Sequence, residues 1–380
     1  MKKIIFSIFT FFVVMTNTFA MENLAPNSKS AILLETSTGK IIYENNANEK
    51  LPPASMTKIM SMLLIMEAID SGKLSLEDDV LISENSASMG GSQVFIEAGE
   101  TYKVKDLLKG IAIASGNDAV VAMAEKVGGS VETFVKMMND KAKQLGLKNT
   151  VFVNPHGLDA EGHYSSAYDM AMIAKELLKH EKILEFTSIY EDYLQKPDGS
   201  STWLVNTNRL VRFYEGVDGL KTGFTSTAKY CITTTAKKNN MRLVSVVMGV
   251  ETSDLRSKDT TNLLNYGFNT YKLDMIMKKN KILGNVKVEK GKTDSVDLTL
   301  KDDATLLKKI NDQDVDYFVN LKVDKVTAPV KVGDVVGSAE IMDNDGKLIM
   351  EKDVTVANNI EKANFFDYFL KNLKVITSGI

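Results

Sequence analysis

Residues 52–60, Pro-Pro-Ala-Ser-Met-Thr-Lys-Ile-Met, raise the question on which the reading of this chain turns. Ser55 and Lys58 stand three residues apart, directly behind two prolines that stop an extended segment. Side chains at i and i+3 share one face of a helix, so a helix starting here would bring Lys58 to Ser55. A serine hydroxyl is a poor nucleophile near neutral pH until a neighbouring base takes its proton. The bland alternative is a capping serine with a solvated lysine, and one Ser-x-x-Lys does not choose between the two.

Two further stretches do. Ala112-Ile-Ala-Ser-Gly-Asn-Asp118 sets Ser115 and Asn117 between two segments of helical period, and Val217-Asp-Gly-Leu-Lys-Thr-Gly-Phe224 precedes a strand-like run. Ser-x-x-Lys, Ser-x-Asn and Lys-Thr-Gly, in that order, match the active-serine set of penicillin-binding proteins and β-lactamases. The chemistry accounts for the residue types. A lysine acts as a base only if desolvation or a second cation lowers its pKa, and Lys221 is the candidate for that cation. Ser115 can pass a proton between the nucleophile, the lysines and the leaving amine. Asn117 offers an amide to Lys58 and to the substrate carbonyl. Backbone N–H groups at the start of the Ser55 helix, with that of Phe224, suit a developing oxyanion. Gly223 is read as leaving room for substrate along the strand edge, and Thr222 with Lys221 as the seat of a terminal carboxylate.

The remaining sequence sets compartment and architecture. Lys2 and Lys3, the apolar run from Ile4 to Met15 and small residues at Thr18–Ala20 form the order of a secretory signal, residues 1–20. An uncleaved N-terminal anchor is the alternative. Cys231 is the sole cysteine, so no intramolecular disulfide is available and stability must come from burial. A net charge of −3 with both signs mixed throughout leaves no nucleic-acid footprint. From about Ser28 to Tyr271 the period alternates between strand and helix. A hairpin turns at Gly39; helices are read at 57–69, 104–114, 119–127 and 166–180, strands at 230–236 and 243–249, and a helix at 255–271. That order predicts an antiparallel sheet with helices packed on it. Beyond about Met275 come short alternating strands, with a tight turn at Asp345-Gly346.

With these motifs in place the chain resembles the D-alanyl-D-alanine carboxypeptidases, low-molecular-mass penicillin-binding proteins of the serine DD-peptidase family. The resemblance extends to Asn154-Pro-His-Gly-Leu158, Gly162-His-Tyr-Ser-Ser-Ala-Tyr-Asp169 and Tyr266-Gly-Phe268. It implies an α+β fold: a penicillin-recognising, β-lactamase-like domain with an antiparallel sheet and helices (21–274), then a small all-β domain (275–358). It implies Ser55 as the acylated serine, Lys58 as its base, and Ser115, Asn117 and Lys221 as the remaining polar site, with Thr222, Gly223 and Phe224 binding substrate. The implied reaction removes the terminal D-alanine of peptidoglycan pentapeptides without metal or cofactor, with β-lactams as covalent inhibitors. Two departures stand out: Lys229, where many relatives carry glycine, and Phe224, where some carry histidine or tyrosine.

Other residues invite other readings. The three histidines, His156, His163 and His180, lack zinc-site spacing, and His156 is read as shaping its loop. Asp169 is assigned to bracing a helix, Asp218-Gly219 to a turn, and Cys231 to an inert buried position. In 359–380, Phe365, Phe366, Phe369, Leu370, Leu373 and Ile376 fall on one helical face with lysines elsewhere, the profile of a helix lying in a membrane surface. The chain is thus expected to be exported and peripheral on the outer face of the cytoplasmic membrane. A β-lactamase is disfavoured because Val151–Leu158 holds no glutamate. A DD-endopeptidase or transpeptidase and a non-catalytic wall-binding scaffold are the retained alternatives.

Overall fold

The computed structural model describes residues 23–378 except Val315, so the predicted signal segment lies outside the described residues. The chain opens with the hairpin β1 (Ser30–Glu35) and β2 (Ile41–Asn45), turning through Gly39 at φ +71°. A single 3₁₀ turn, Ala54–Thr57, leads into α1 (Lys58–Asp70), whose residues 58–66 are all buried. A helix apolar on every side belongs in the centre of a domain, and α1 occupies it.

Around α1 come β3 (Asp79–Leu81), α2 (Glu84–Ala87), β4 (Thr101–Lys103), α3 (Val104–Ala114), α4 (Asn117–Gly128), α5 (Val131–Gln144), α6 (Ala167–Leu177) and α7 (Leu184–Thr187). A second hairpin, β5 (Glu191–Gln195) and β6 (Ser201–Val205), is followed by α8 (Leu210–Phe213). The chain then returns to the sheet through β7 (Val217–Thr225), β8 (Lys229–Lys238) and β9 (Met241–Val250), and α9 (Ser253–Thr270) closes the domain.

The main sheet has the order β2-β1-β9-β8-β7, antiparallel throughout. Alternation along β1 shows how it is sandwiched. Ile32 and Leu34 join the core built on α1, α3, α4 and α6, whereas Ala31 and Leu33 join a second core under α9. Gly267 allows α9 to lie close, since a Cβ there would stand 2.5 Å from Leu243 Cδ1. The Asp218-Gly219 reading is corrected: both residues lie within β7, where Asp218 forms a two-pronged ion pair with Arg242 of β9, 2.8 Å on each arm. Local turn propensity yields there to strand pairing plus a bidentate Arg–carboxylate contact.

The remainder is the all-β part. It comprises β10 (Tyr271–Met277), β11 (Gly284–Glu289), β12 (Ser295–Leu300), β13 (Ala304–Lys309), β14 (Tyr317–Val323), β15 (Val326–Thr327), β16 (Val335–Asp343) and β17 (Leu348–Val356). β10 pairs with β13, and the others form a sheet of order β14-β16-β17-β12-β11-β15 over two small apolar clusters. β16 and β17 turn through Gly346 at φ +78°, where the sequence placed a hairpin. The last helix, α10 (Phe365–Ser378), is capped by Asn364, whose side chain accepts from the Asp367 N–H while Asp367 accepts from the Asn364 N–H. Phe365, Phe366, Phe369 and Leu370 are exposed on it.

Candidate active site

Ser55 lies in the 3₁₀ turn that precedes α1, and Lys58 is the first residue of α1 itself. The sequence placed both on one α-helix. Pro53 and Ala54, the latter at φ +48°, tighten the entry, and the i, i+3 spacing survives because 3₁₀ residues three apart eclipse. The Lys58 ammonium donates to Ser55 Oγ at 3.0 Å, to Asn117 Oδ1 at 2.6 Å and to the His156 carbonyl at 2.9 Å. No carboxylate is among these acceptors. Burial, and after it the charge of Lys221, holds the Lys58 amine well below its ordinary value of 10.5. A lysine in that state is primed to take a proton from the hydroxyl beside it.

The break between α3 and α4 supplies the second group. Ser115 ends α3 in the left-handed region, φ +66°, and is almost fully buried. That kink turns the chain so that Asn117 begins α4 facing Lys58. Asn117 is held from behind: its amide donates to the Gly90 carbonyl at 2.6 Å, and its backbone N–H donates to Ser92 at 2.7 Å. The next residue, Asp118, is wholly buried and accepts from the backbone N–H groups of Val94, Phe95 and Ala119, fixing the loop that walls this side. Among the described residues no hydrogen bond joins the Ser115 hydroxyl to Ser55 or Lys58.

Strand β7 supplies the third group, and it is the last strand of its sheet. Lys221 is 1% exposed and donates to the Thr222 carbonyl at 3.2 Å and to Thr207 Oγ1 at 3.4 Å. Burial, followed by the charge of Arg256 on α9, brings Lys221 down to about 7. The Thr222 hydroxyl donates to Thr207 Oγ1 at 2.7 Å. Gly223 has a further reason besides the one read in the sequence. A Cβ there would lie 2.8 Å from the Pro53 carbonyl and 3.1 Å from the Ser55 nitrogen, so the close approach is to the chain's own nucleophile turn. Phe224 is 54% exposed and packs on its cross-strand partner Tyr230 with ring centroids 4.4 Å apart.

The loop after α5 completes the site. Gly157, at φ +93°, passes so close to Ala54 that a Cβ would fall 1.9 Å from its carbonyl oxygen. His156 Nδ1 accepts from the Leu158 N–H at 3.1 Å, in keeping with a loop-shaping role. His163 Nδ1 accepts from the Val153 N–H at 3.0 Å, so its Nε2–H donates to Thr57 Oγ1 at 2.8 Å. Burial lowers both imidazoles to about 4. Asp169 braces its helix as read, accepting from Asn149 and Thr150, and Cys231 is fully buried with its thiol pushed up to about 11. Lys229 has φ +60°, the conformation glycine adopts without steric cost.

The sequence reading missed Thr207, Asp118, Arg256 and the His156 carbonyl. Thr207 and Arg256 lie 14 and 35 positions from Lys221 and meet it only through the sheet. A backbone carbonyl has no side-chain signature at all.

Two family models match the chain: D-alanyl-D-alanine carboxypeptidase over residues 17–252, and penicillin-binding protein 5, C-terminal domain, over 271–362. D-alanyl-D-alanine carboxypeptidase DacF of Bacillus subtilis is 51% identical over 92% of this chain and 90% of its own. DacC of Escherichia coli is 35% identical over 90% and 86%. The crystal structure of penicillin-binding protein 5 from Haemophilus influenzae superposes with a TM-score of 0.72 at 31% identity, covering 88% of this chain and 98% of that one. Two-domain architecture, motif order and this likeness along both domains agree, and the chain belongs to the D-alanyl-D-alanine carboxypeptidase family of penicillin-binding serine peptidases.

Proposed function

We infer that this penicillin-binding serine D-Ala-D-Ala carboxypeptidase works through an acyl-enzyme on Ser55, removing the terminal D-alanine of peptidoglycan pentapeptides. The observation that carries this reading is the buried Lys58 amine, 3.0 Å from Ser55 Oγ and ringed by neutral acceptors. Neutral Lys58 takes the Ser55 proton as Oγ attacks the carbonyl between the two D-alanines. The backbone N–H groups of Ser55 and Phe224 receive the oxyanion. Ser115 passes the proton to the departing amine, and protonated Lys221 with Thr222 holds the product carboxylate. Water then enters, Lys58 takes its proton, and the ester at Ser55 opens to regenerate the hydroxyl.

Residues 1–20 act as an export signal in this reading, with the catalytic domain at 21–274, the β domain at 275–358 and a membrane-associating helix at 359–380. The protein would sit peripherally on the outer face of the cytoplasmic membrane. The exposed Phe365, Phe366, Phe369 and Leu370 of α10 support the last element. Among the described residues no helix is long and apolar enough to cross a membrane.

The deciding experiment measures D-alanine release from a peptide ending in D-Ala-D-Ala, beside a Ser55→Ala control. Release that vanishes in the control establishes reaction and nucleophile together. No release from folded protein that still takes a fluorescent penicillin label would favour a transpeptidase or endopeptidase, and no label at all a binding scaffold. Deletion after Asn359 should move the protein to the soluble fraction, and continued membrane association would refute the anchoring helix.

A further inference from the structure

The β5–β6 hairpin buries one face and leaves the other bare. Leu194 and Leu204 point inward and belong to the main core, and Asp192 pairs with Lys109 of α3 at 2.9 Å. On the outward face Tyr193 and Trp203 are directly opposite each other in register and are 52% and 59% exposed. Opposed residues on one face stand about 5 Å apart at Cβ, so the two aromatic side chains share one exposed ledge. Gln195 and Ser201, the next outward pair, add an amide and a hydroxyl, and Glu191 is the one charged outward residue on these strands.

The hairpin is tied to the catalytic cleft. The Asn206 side chain donates to the carbonyls of Thr187 and Ile189, its backbone N–H donates to Tyr190 at 2.7 Å, and the next residue is the Thr207 that accepts from Thr222 and Lys221. Four residues of extended chain reach at most about 14 Å, so Trp203 stands within that distance of Thr207 along the strand.

We propose that this outward face binds the sugar rings of a glycan strand, Tyr193 and Trp203 stacking against the C–H faces of successive pyranoses. The inference rests on the reading that the peptide substrate is borne on a polysaccharide. Sugar rings alternate apolar faces with hydroxyl edges, and this surface answers both: two rings side by side, flanked by Gln195, Ser201 and the indole N–H. A polyanion or an anionic lipid surface would call for cations, and the outward positions of both strands hold none. A strictly apolar partner would leave the amide and hydroxyl without partners on binding.

Trp203 is the only tryptophan in the chain, so it reports on its own surroundings. Titrating the full-length protein with chitohexaose should give a saturable change in tryptophan emission. Tyr193→Ala keeps the reporter and should weaken the apparent affinity about tenfold, a loss of roughly 1.4 kcal/mol. Trp203→Ala and Tyr193→Ala should leave D-alanine release from a short soluble peptide within about twofold and lower release from isolated cell-wall polymer by about tenfold. An unchanged emission, or equal action of all three proteins on the polymer, would overturn the proposal. Failure of the unsubstituted protein on the short peptide would count against the hydrolytic reading alone, because the emission decides the ledge without turnover.

Discussion

Asn117 Oδ1 accepts a 2.6 Å hydrogen bond from the Lys58 ammonium while Asn117 Nδ2 donates to the Gly90 carbonyl at the same distance. The amide is therefore held at both ends, and its oxygen cannot turn away from the lysine without a buried donor losing its partner. Together with Ser55 Oγ and the His156 carbonyl it gives the amine three neutral acceptors, and among the described residues no carboxylate hydrogen-bonds to it. That arrangement stabilises orientation more than charge, which is what a base needs.

Replacing Lys58 by methionine keeps the bulk and removes the base. Acylation by penicillin should slow by at least about 10²-fold, with the thermal midpoint little changed, because the relieved desolvation of the buried amine is offset by the donor that Asn117 Oδ1 and the His156 carbonyl lose. Labelling kinetics and a melting curve together check it. Acylation at the wild-type rate would mean another group deprotonates Ser55.

The buried lysines predict opposite pH trends for stability and for substrate binding. Lys221 falls from 10.5 to about 7 on folding, and Lys58 is also lowered, so the unfolded chain binds more protons than the native one between those values. Stability should therefore rise as pH climbs from about 7 towards 10, and a Lys221→Met variant should show a shallower rise. Activity should move the other way if Lys221 holds a carboxylate as a cation. KM for a D-Ala-D-Ala peptide should increase above about 7, and Lys221→Arg, which stays charged, should abolish that increase.

Gly223→Ala tests the contact between β7 and the nucleophile turn. A Cβ 2.8 Å from the Pro53 carbonyl forces that turn or the strand to shift. Overpacking of this kind costs about 1–3 kcal/mol, and the penicillin acylation rate should fall with it, since Ala54 Cβ at 3.0 Å and Ser55 N at 3.1 Å are met next. Unaltered labelling in a stable Gly223→Ala protein would show that the turn can yield without harm.

At Lys229 the prediction is stabilising. A non-glycine residue in the left-handed region costs about 1–2 kcal/mol, and the ion pair of Lys229 with Glu251, 3.4 Å between half-exposed groups, returns little. Lys229→Gly should raise the denaturant midpoint by the equivalent of about 1 kcal/mol with acylation unchanged. A lower midpoint would assign the ion pair more weight than exposure suggests.

The elements that could be read from the sequence were those with a strong period and clear punctuation. α3 is delimited by Val104 and Ala114, because apolar spacing marks helix ends locally, whereas the period places the start of α4 at Ala119, two residues after its actual first residue, Asn117. The β5–β6 hairpin also carried its signal, an alternating Tyr193-Leu194 and Trp203-Leu204 about Asp198-Gly199, yet it lies between motifs that drew the reading elsewhere. Asp218 was misread because a local Asp-Gly preference cannot reveal an arginine 24 residues away. At the site, side chains with a motif were found; Thr207, Arg256 and the His156 carbonyl were not, since their roles arise from sheet register and loop closure.

His163 keeps its loop together only as one tautomer, with Nδ1 accepting from Val153 and Nε2 donating to Thr57. Its pKa falls from 6.5 to about 4 on folding, as does that of His156. Native geometry therefore persists through mild acid, while the unfolded chain gains protons that the folded one refuses. Between pH 6.5 and about 4 the enzyme should lose resilience before it loses shape. Below that window a proton on Nδ1 leaves the Val153 N–H without an acceptor, and the loop that presents the His156 carbonyl to Lys58 becomes the first part of the site to come apart.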